Sequence, residues 1–358
     1  MSGVTEETPA AELERARESG RPVARLPRWE RHLGWLYLVL LLGAVAWLAW
    51  FPRLANAYNV TLALTVLLVI ALATSWNILS GFSGYTSFGH AGFFGIGSYV
   101  GALLIFYERT SWIPAVILAG FATALIALVI GYPTLRLRGP YFAITMLGLS
   151  ELARIVVTAW DSLTLGGQGV YLPILRLEPP VTSGPLIDQL RNVVHNNQNY
   201  YAMLLLAVVA IVVSYAVGTS RFGLELLAIR DDELAARAMG IRTTRIKITA
   251  FALSSFFPGA AGAIYARHVG LIDPPSVFLV IWSIRAIATS ILGGQGTILG
   301  PIIGAIVLTL VTEKVWETDP NLYQVFLGGL IVLVVLFIPG GILALLQDRG
   351  WLPRTRRI

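Results

Sequence analysis

Few residues in this sequence could carry out acid–base, nucleophilic or metal chemistry. The chain contains no cysteine and only four histidines, so disulfides, zinc–thiolate sites and thiol catalysis are excluded. It also lacks the short motifs that hold a nucleotide phosphate, a catalytic zinc ion or an esterase serine. The sequence therefore predicts neither a catalytic site nor a metal site, and it predicts that the chain cannot hydrolyse ATP by itself.

Four ionisable residues within apolar stretches are the remaining candidates, because charges at membrane depth are functional candidates by default. Glu151 and Arg154 are three residues apart and can neutralise each other on one helix face, so we interpret them as a structural pair. Arg285 has no acid within four residues. It is either functional, or it snorkels to the membrane surface or pairs in space with an acid such as Glu151 or Asp273. His90 fits a hydrogen-bonded packing residue or a titrating one.

Two glycine-rich segments, residues 77–98 and 291–304, occupy corresponding positions in the two halves of the chain. Interrupted helices in matching positions point to a substrate path, and close helix packing through small residues is the alternative. We therefore predict a translocation path or hinge at these segments. The candidate residues are Gly81, Gly84, Ser87, Gly89, His90, Gly92, Gly95, Gly293, Gly294, Gly296 and Gly300.

The elements that must position these residues are membrane-spanning helices. The sequence is 56% hydrophobic and 13% charged, whereas globular domains are about 25% charged. A spanning helix needs roughly 20 apolar residues. Runs of this kind lie at 33–51, 58–79, 86–107, 112–131, 140–160, 200–218, 248–268, 276–293, 297–312 and 322–346. The predicted fold class is an all-α polytopic membrane protein with about ten transmembrane helices; eight crossings with two re-entrant segments fit equally well.

The distribution of basic residues predicts the orientation. Of the 26 Lys and Arg residues, 18 lie in the amino-terminal tail, the 132–139 and 219–247 connections and the carboxyl-terminal tail, and such connections face the cytoplasm. The charges form no continuous basic face, so nucleic-acid binding is excluded. Because residues 1–32 lack a signal-peptide pattern, the first span is retained. The predicted regions are a cytoplasmic tail (1–32), a transmembrane domain (33–346) with an extracytoplasmic loop (161–199), and a cytoplasmic tail (347–358).

The 219–247 connection is predicted to be a structured cytoplasmic element. It is rich in helix formers, and Gly240 is a suitable helix stop. An apolar side is formed by Leu224, Leu227, Ile229, Leu234 and Met239. A partner protein is the natural cover for this side, and packing under the helix bundle is the alternative.

Five motifs occur along the chain in a fixed order. They are NILSGFSGYTSFGHAGFFGIGSY (77–99), LRLRGPYFAITMLGLSELARIV (135–156), RFGLELLAIRDDELAARAMGI (221–241), KITAFALSSFFPGAAGAIYA (247–266) and ILGGQGTILGPIIGA (291–305). Together they resemble one family, the longer permease subunit of branched-chain amino-acid ABC importers. The resemblance covers roughly residues 58–346. It implies a type II ABC importer-like permease, which is a transport subunit and not an enzyme.

The resemblance also implies partners and site residues. A second permease subunit, two ATPase subunits that bind ATP and Mg, and an extracytoplasmic binding protein would complete the importer in a bacterial or archaeal cytoplasmic membrane. The chain itself would bind no cofactor, and its 219–247 segment would couple it to the ATPases. The coupling residues carried over are Gly223, Arg230, Asp231, Glu233, Ala235, Ala236 and Gly240.

Three alternatives to import of leucine, isoleucine and valine remain at this point. Arg285 departs from the family pattern, so urea and short-chain amides remain alternative solutes. An ion-coupled secondary transporter needs acids within its spans, and Glu151 is the one clear candidate. An intramembrane enzyme needs clustered His, Asp or Glu residues in the spans, and the sequence shows no such cluster.

Overall fold

The computed structural model describes residues 43–108, 110–137, 139–172, 193, 196–318, 325, 328, 329 and 340–348. The predicted tail 1–32, most of the predicted spans 33–51 and 322–346, most of the 161–199 loop and most of the 347–358 tail lie outside these residues. The chain divides into two units, residues 1–50 and 51–358. In the first unit, residues 43–50 form a helix in which Trp47 and Trp50 are exposed.

The described part of the second unit is built almost entirely from helices. The main ones are α1 (Ala57–Trp76), α2 (His90–Phe106), α3 (Trp112–Thr134), α4 (Pro140–Ala159), α5 (Gln198–Thr219), α6 (Arg221–Asp231), α7 (Glu233–Ala238), α8 (Thr243–Val269), α9 (Ile281–Gly293), α10 (Leu299–Thr318) and α11 (Gly341–Asp348). A π-helical turn, Asn77–Gly81, continues α1. Shorter elements are the 3₁₀ turns Phe51–Arg53 and Gly166–Gln168, the helical turns Asp161–Thr164 and Pro274–Val277, and the strands β1 (Val170–Tyr171) and β2 (Leu271–Ile272).

Six helical segments in the described part of the chain are long and apolar enough to cross a bilayer. They are Ala57–Gly81, Trp112–Thr134, Pro140–Ala159, Gln198–Thr219, Thr243–Val269 and Pro274–Gly293. Two shorter apolar helices are His90–Phe106 and Leu299–Glu313. The described part of the chain is therefore mostly helical with six candidate spans, and the count of about ten crossings stays a prediction.

Local sequence sets where several helices begin and end. The Asn56 side chain caps α1 by accepting a hydrogen bond from the Asn59 N–H at 2.9 Å, a common role for Asn at this position. Pro140 opens α4, where its missing N–H costs nothing. Gly270 ends α8 with φ of +78°, a left-handed conformation that favours glycine.

Helix α8 lies at the centre of the unit and packs against α3, α2, α1 and α5. Small residues allow close approach: a Cβ at Gly97 of α2 would collide with the Gly259 backbone of α8, and a Cβ at Gly262 would collide with the Phe94 carbonyl. Without a hydrophobic drive between helices in lipid, such small-residue contacts provide van der Waals packing. The Thr123 hydroxyl adds a hydrogen bond from α3 to the Ser255 carbonyl at 3.0 Å.

Two apolar clusters fill the space around α8. In the first, the ring of Phe251 makes edge-to-face contacts with Phe93 and Phe142, at centroid distances of 5.4 and 6.2 Å. The second contains Tyr99 and Phe278. It lies at the antiparallel β1–β2 pair, in which Val170 is opposite Ile272. Tyr85, a residue of the first glycine-rich segment, packs against the first cluster.

Candidate functional site

The predicted cytoplasmic element folds as two short helices, α6 and α7, which we call the short helix pair. The Ser220 hydroxyl caps α6 by accepting a hydrogen bond from the Gly223 N–H at 3.3 Å. Asp232 separates the two helices, and its carboxylate accepts hydrogen bonds from the Leu234 and Ala235 N–H groups at 2.7 and 3.1 Å. Helix α7 then ends before Gly240, whose φ is +87°, as the sequence predicts.

Arg230, in the last turn of α6, reaches both glycine-rich segments. Its Nη1 donates a hydrogen bond to the Gly81 carbonyl at 2.8 Å. Gly84 has φ of +76°, and a Cβ there would lie 3.1 Å from Arg230 Cγ. Gly296 has φ of +79°, and a Cβ there would lie 2.7 Å from Arg230 Nη1. The absence of side chains at these two positions thus leaves room for the arginine.

Glu233, the first residue of α7, enters a buried ionic network. Lys247 Nζ on α8 donates hydrogen bonds to Glu233 Oε1, the Tyr85 hydroxyl and the Leu135 carbonyl, each at 2.9 Å. Tyr85, from the first glycine-rich segment, donates its hydroxyl to Glu233 Oε2 at 2.6 Å. The Lys247 and Glu233 side chains are only 4% and 9% exposed. Arg237 forms a second, more exposed contact with Glu233 at 3.0 Å.

The apolar residues of this region divide into two sets. Leu227 and Ile229 are buried within the chain's own bundle, so the expectation that they share a partner-facing side is wrong; α6 uses that side to pack against the bundle. Leu224, Leu234 and Met239 are exposed, Met239 by 83%. Among the other predicted coupling residues, Ala236 is buried, whereas Asp231, Ala235 and Gly240 are exposed.

The two glycine-rich segments meet in a contact that we call the glycine junction, residues 73–89 and 290–300. Asn77, fully buried in the π-helical turn, donates to the Thr297 carbonyl and accepts from the Gly296 N–H, both at 2.8 Å. Gln295 Nε2 donates to the Ser80 carbonyl at 3.1 Å, and the Ser290 hydroxyl donates to the Ala73 carbonyl at 3.0 Å. The structure therefore brings the two predicted path segments together.

The remaining predicted path glycines lie where helices touch. A Cβ at Gly293 would collide with the Gly300 carbonyl, and one at Gly300 with the Gly294 carbonyl. On α2, a Cβ at Gly92 would lie 2.6 Å from Ser150 Oγ, and one at Gly95 would lie 2.5 Å from the Phe278 ring. Just before α2, a Cβ at Gly89 would collide with the Met146 side chain. These positions fit the close-packing alternative, and their part in a path stays a prediction.

His90 and Ser87 are both buried at the start of α2. Neither ring nitrogen of His90 has a hydrogen-bond partner among the described residues, and its role as a packing or a titrating residue stays a prediction. The Ser87 carbonyl accepts a hydrogen bond from Trp76 Nε1 at 2.9 Å. Ser283 of α9 links this turn to α9, because its hydroxyl donates to the Phe88 carbonyl at 2.6 Å and accepts from the Ala91 N–H at 2.8 Å.

The predicted intramembrane charges occupy two separate places. Arg154 Nε lies 3.0 and 2.9 Å from the two carboxylate oxygens of Glu151, which agrees with the predicted pair. Arg285 lines a cavity of about 280 Å³ bounded by α1, α8, α9 and α10. Its guanidinium lies 5.6 Å from the centre of the Trp282 ring, and Glu313 lines the same cavity.

Metal binding has no support in the described part of the chain, where no group of three or more His, Asp or Glu residues is arranged to hold an ion.

Three important residues were not predicted: Asn77, Tyr85 and Lys247. Asn77 and Lys247 carried a usable signal, since a polar residue in an apolar run needs a partner when it is buried. Tyr85 carried none, because a tyrosine beside glycines fits an exposed turn equally well.

Comparison with known proteins extends these observations. The family described as the permease component of branched-chain amino acid transport systems matches residues 57–335. The chain is 32% identical to the high-affinity branched-chain amino acid transport system permease protein LivM of Salmonella typhimurium, over 87% of the chain and 75% of that protein. The Escherichia coli K12 protein of the same name is 33% identical over 88% of the chain and 76% of its own length.

A shorter similarity extends to a different import system. The autoinducer 2 import system permease protein LsrC of Salmonella typhi is 32% identical over 39% of the chain and 42% of its own length. No solved structure matches the chain.

Proposed function

The chain belongs to the family of permease components of branched-chain amino acid transport systems, and from this premise we propose that it forms half of the translocation pathway of an ATP-driven importer. It is a multi-pass membrane protein and a transport subunit rather than an enzyme. Its solutes are branched-chain amino acids, namely leucine, isoleucine and valine. The LivM relatives favour these solutes over urea and short-chain amides.

One observation carries the mechanism: Arg230 of the short helix pair contacts the Gly81 carbonyl and lies against Gly84 and Gly296. A displacement of α6 is therefore transmitted directly to the glycine junction. The buried Glu233–Lys247 contact fixes α7 to α8 and to Tyr85 in the same way. The short helix pair thus transmits movements of the partner ATPase subunits to the translocation path.

We assign the docking surface for the ATPase subunits to the exposed apolar residues Leu224, Leu234 and Met239. Exposed apolar side chains at the centre of a patch are typical of protein interfaces. The partners are two ATPase subunits, which supply the sites for ATP and Mg. Each cycle of ATP binding and hydrolysis would move the short helix pair and open the path to alternate sides.

The basic-residue distribution supports an orientation with both termini and the 219–247 segment in the cytoplasm. We propose about ten crossings of a bacterial or archaeal cytoplasmic membrane, with glycine-interrupted segments at the junction. A second permease completes the path, and an extracytoplasmic binding protein delivers the solute to the side that carries the 161–199 loop and the β1–β2 pair.

The test uses the double substitution Leu234→Glu with Met239→Glu in the chain coexpressed with its second permease and ATPases. Because both side chains are exposed, we expect normal membrane insertion and loss of ATPase co-purification and of ATP-dependent leucine uptake in proteoliposomes. Leu54→Glu is the matched control, since Leu54 is 75% exposed and precedes α1, at the end of that helix opposite the glycine junction. Normal ATPase binding by the double variant would contradict the assigned docking surface.

Two further results bear on the same proposal. Gly240→Pro, at a φ that proline cannot adopt, and Asp231→Lys should both impair coupling to the ATPases while leaving membrane insertion intact. Uptake of leucine by the isolated chain, driven by a proton or sodium gradient without ATPases, would instead establish an ion-coupled secondary transporter.

A further inference from the structure

The ion pair of Glu151 and Arg154 lies near the middle of α4 and faces away from the chain's own bundle. Relative to the start of α4 at Pro140, Glu151 is displaced by roughly 16 Å along the helix axis. Its side chain is 49% exposed, and that of Arg154 is 32% exposed. Phe142 and Met146 are buried on the face of α4 opposite Glu151, whereas Arg154 lies one turn after the buried Ser150, on the same side of the helix.

Lipid is an unsuitable environment for this face. Charged side chains in membrane-spanning helices are costly in hydrocarbon and almost always face protein or a water-filled cavity. The exposed faces of α3 and α5 have the composition that lipid requires, because neither helix contains a charged residue. Leu125 and Val129 of α3, for example, are 62% and 68% exposed.

The chemistry of the pair complements an aliphatic amino acid. A free amino acid carries an ammonium and a carboxylate on one carbon, and the pair offers a carboxylate and a guanidinium one helical turn apart. Leu147 and Ile155 flank the pair with exposed apolar surface. Between Leu147 and Glu151, no atom lies within 4 Å of where a Cβ of Gly148 would stand, so the surface is open there.

We propose that this face of α4 borders the aqueous path, and that Glu151 and Arg154 hold the zwitterionic amino acid during its passage. The inference rests on the proposed transport of branched-chain amino acids. The solute's ammonium binds Glu151, and its carboxylate accepts paired hydrogen bonds from the Arg154 guanidinium, a geometry that arginine favours. The aliphatic side chain contacts Leu147 and Ile155. Between solutes the two side chains satisfy each other, as the structure shows.

This chain contains no cysteine, so a single introduced cysteine is its only thiol, and labelling is measured on this chain after the subunits are separated. Gly148→Cys and Ile155→Cys are placed on α4, with Leu125→Cys and Val129→Cys on α3 as matched controls. The complete importer, in proteoliposomes, is exposed to a charged, membrane-impermeant methanethiosulfonate reagent. We expect the α4 positions to react, and leucine supplied with the binding protein and ATP to slow the reaction. The α3 positions should stay unreactive.

Glu151→Gln and Arg154→Gln provide the second measurement. Each should reduce ATP-dependent leucine uptake roughly tenfold to a hundredfold, the factor expected when one charged hydrogen-bonding partner is lost. ATPase co-purification should persist, which separates this loss from a failure of the proposed function. If the α4 cysteines are as unreactive as those of α3, a permanently docked partner covers this face and the proposal is wrong. If they react but leucine does not protect them, the face borders a crevice that the solute does not enter, and the proposal is wrong as well.

Discussion

The buried contact between Glu233 and Lys247 gives the most direct test of how the short helix pair is held. The perturbations are the single substitutions Glu233→Gln and Lys247→Met and the double variant that carries both. Arg237→Gln is the matched control, because Arg237 contacts the same carboxylate from a side chain that is 56% exposed.

The expected magnitudes follow from burial. Lys247 uses three hydrogen bonds at 2.9 Å, one of them to Glu233. Removing one member of a buried ion pair leaves an uncompensated charge and costs about 3–5 kcal/mol. An exposed pair contributes about 0.2–1 kcal/mol, so Arg237→Gln should have little effect. In the double variant both charges are gone, and replacement of a buried pair by neutral groups is often close to neutral.

The assay is the stability of the purified chain in detergent, followed by thermal unfolding and expressed as a double-mutant cycle. Both single variants should unfold at clearly lower temperature than the control variant, and the double variant should recover most of the loss. Equal losses for Lys247→Met and Arg237→Gln would refute the reasoning from burial. Additive losses in the double variant would show that the two residues are not energetically coupled.

Two other predictions concern the glycine junction. Asn77→Ala should destabilise the chain by about 1–3 kcal/mol for each buried backbone partner left unsatisfied. Asn59→Ala, on the exposed start of α1, is the control. Equal melting temperatures for the two variants would contradict the role of Asn77 in holding the two segments together. Gly296→Ala should lower leucine uptake and stability, because a left-handed conformation costs other residues about 1–2 kcal/mol and the added Cβ meets Arg230 Nη1. Gly167→Ala, where no atom lies within 4 Å of the added Cβ, is the control and should leave uptake and stability unchanged. Normal uptake and stability of the Gly296→Ala variant would show that the Arg230 side chain can move away from the added Cβ.

Much of the site was predictable wherever the determinant was local. The helical character of 221–238 and the stop at Gly240 follow from helix propensity and from the conformational freedom of glycine. The Glu151–Arg154 pair follows from three-residue spacing on one helix. The apolar side of the short helix pair was only partly right, because helix period does not tell which apolar residues pack on the chain's own bundle. Leu227 and Ile229 do so, and Leu224, Leu234 and Met239 do not.

Contacts between distant segments were not accessible in this way. Lys247 binds Tyr85 across 162 positions and Asn77 binds Thr297 across 220. Nothing in the residue types on either side specifies the other, because many pairs of donors and acceptors would satisfy a buried polar group equally well.

By itself the sequence determined that the chain lies in a bilayer, because apolar segments of about 20 residues recur along it and are stable in the hydrocarbon core of a membrane. It also determined the family, through motifs in a fixed order. Only the tertiary structure decided that the two glycine-rich segments touch, that Arg230 reaches both of them, and that the Glu151–Arg154 pair faces outward. The physical reason is that apolar length and helix period are properties of neighbouring residues, whereas the face a helix buries depends on every helix packed against it.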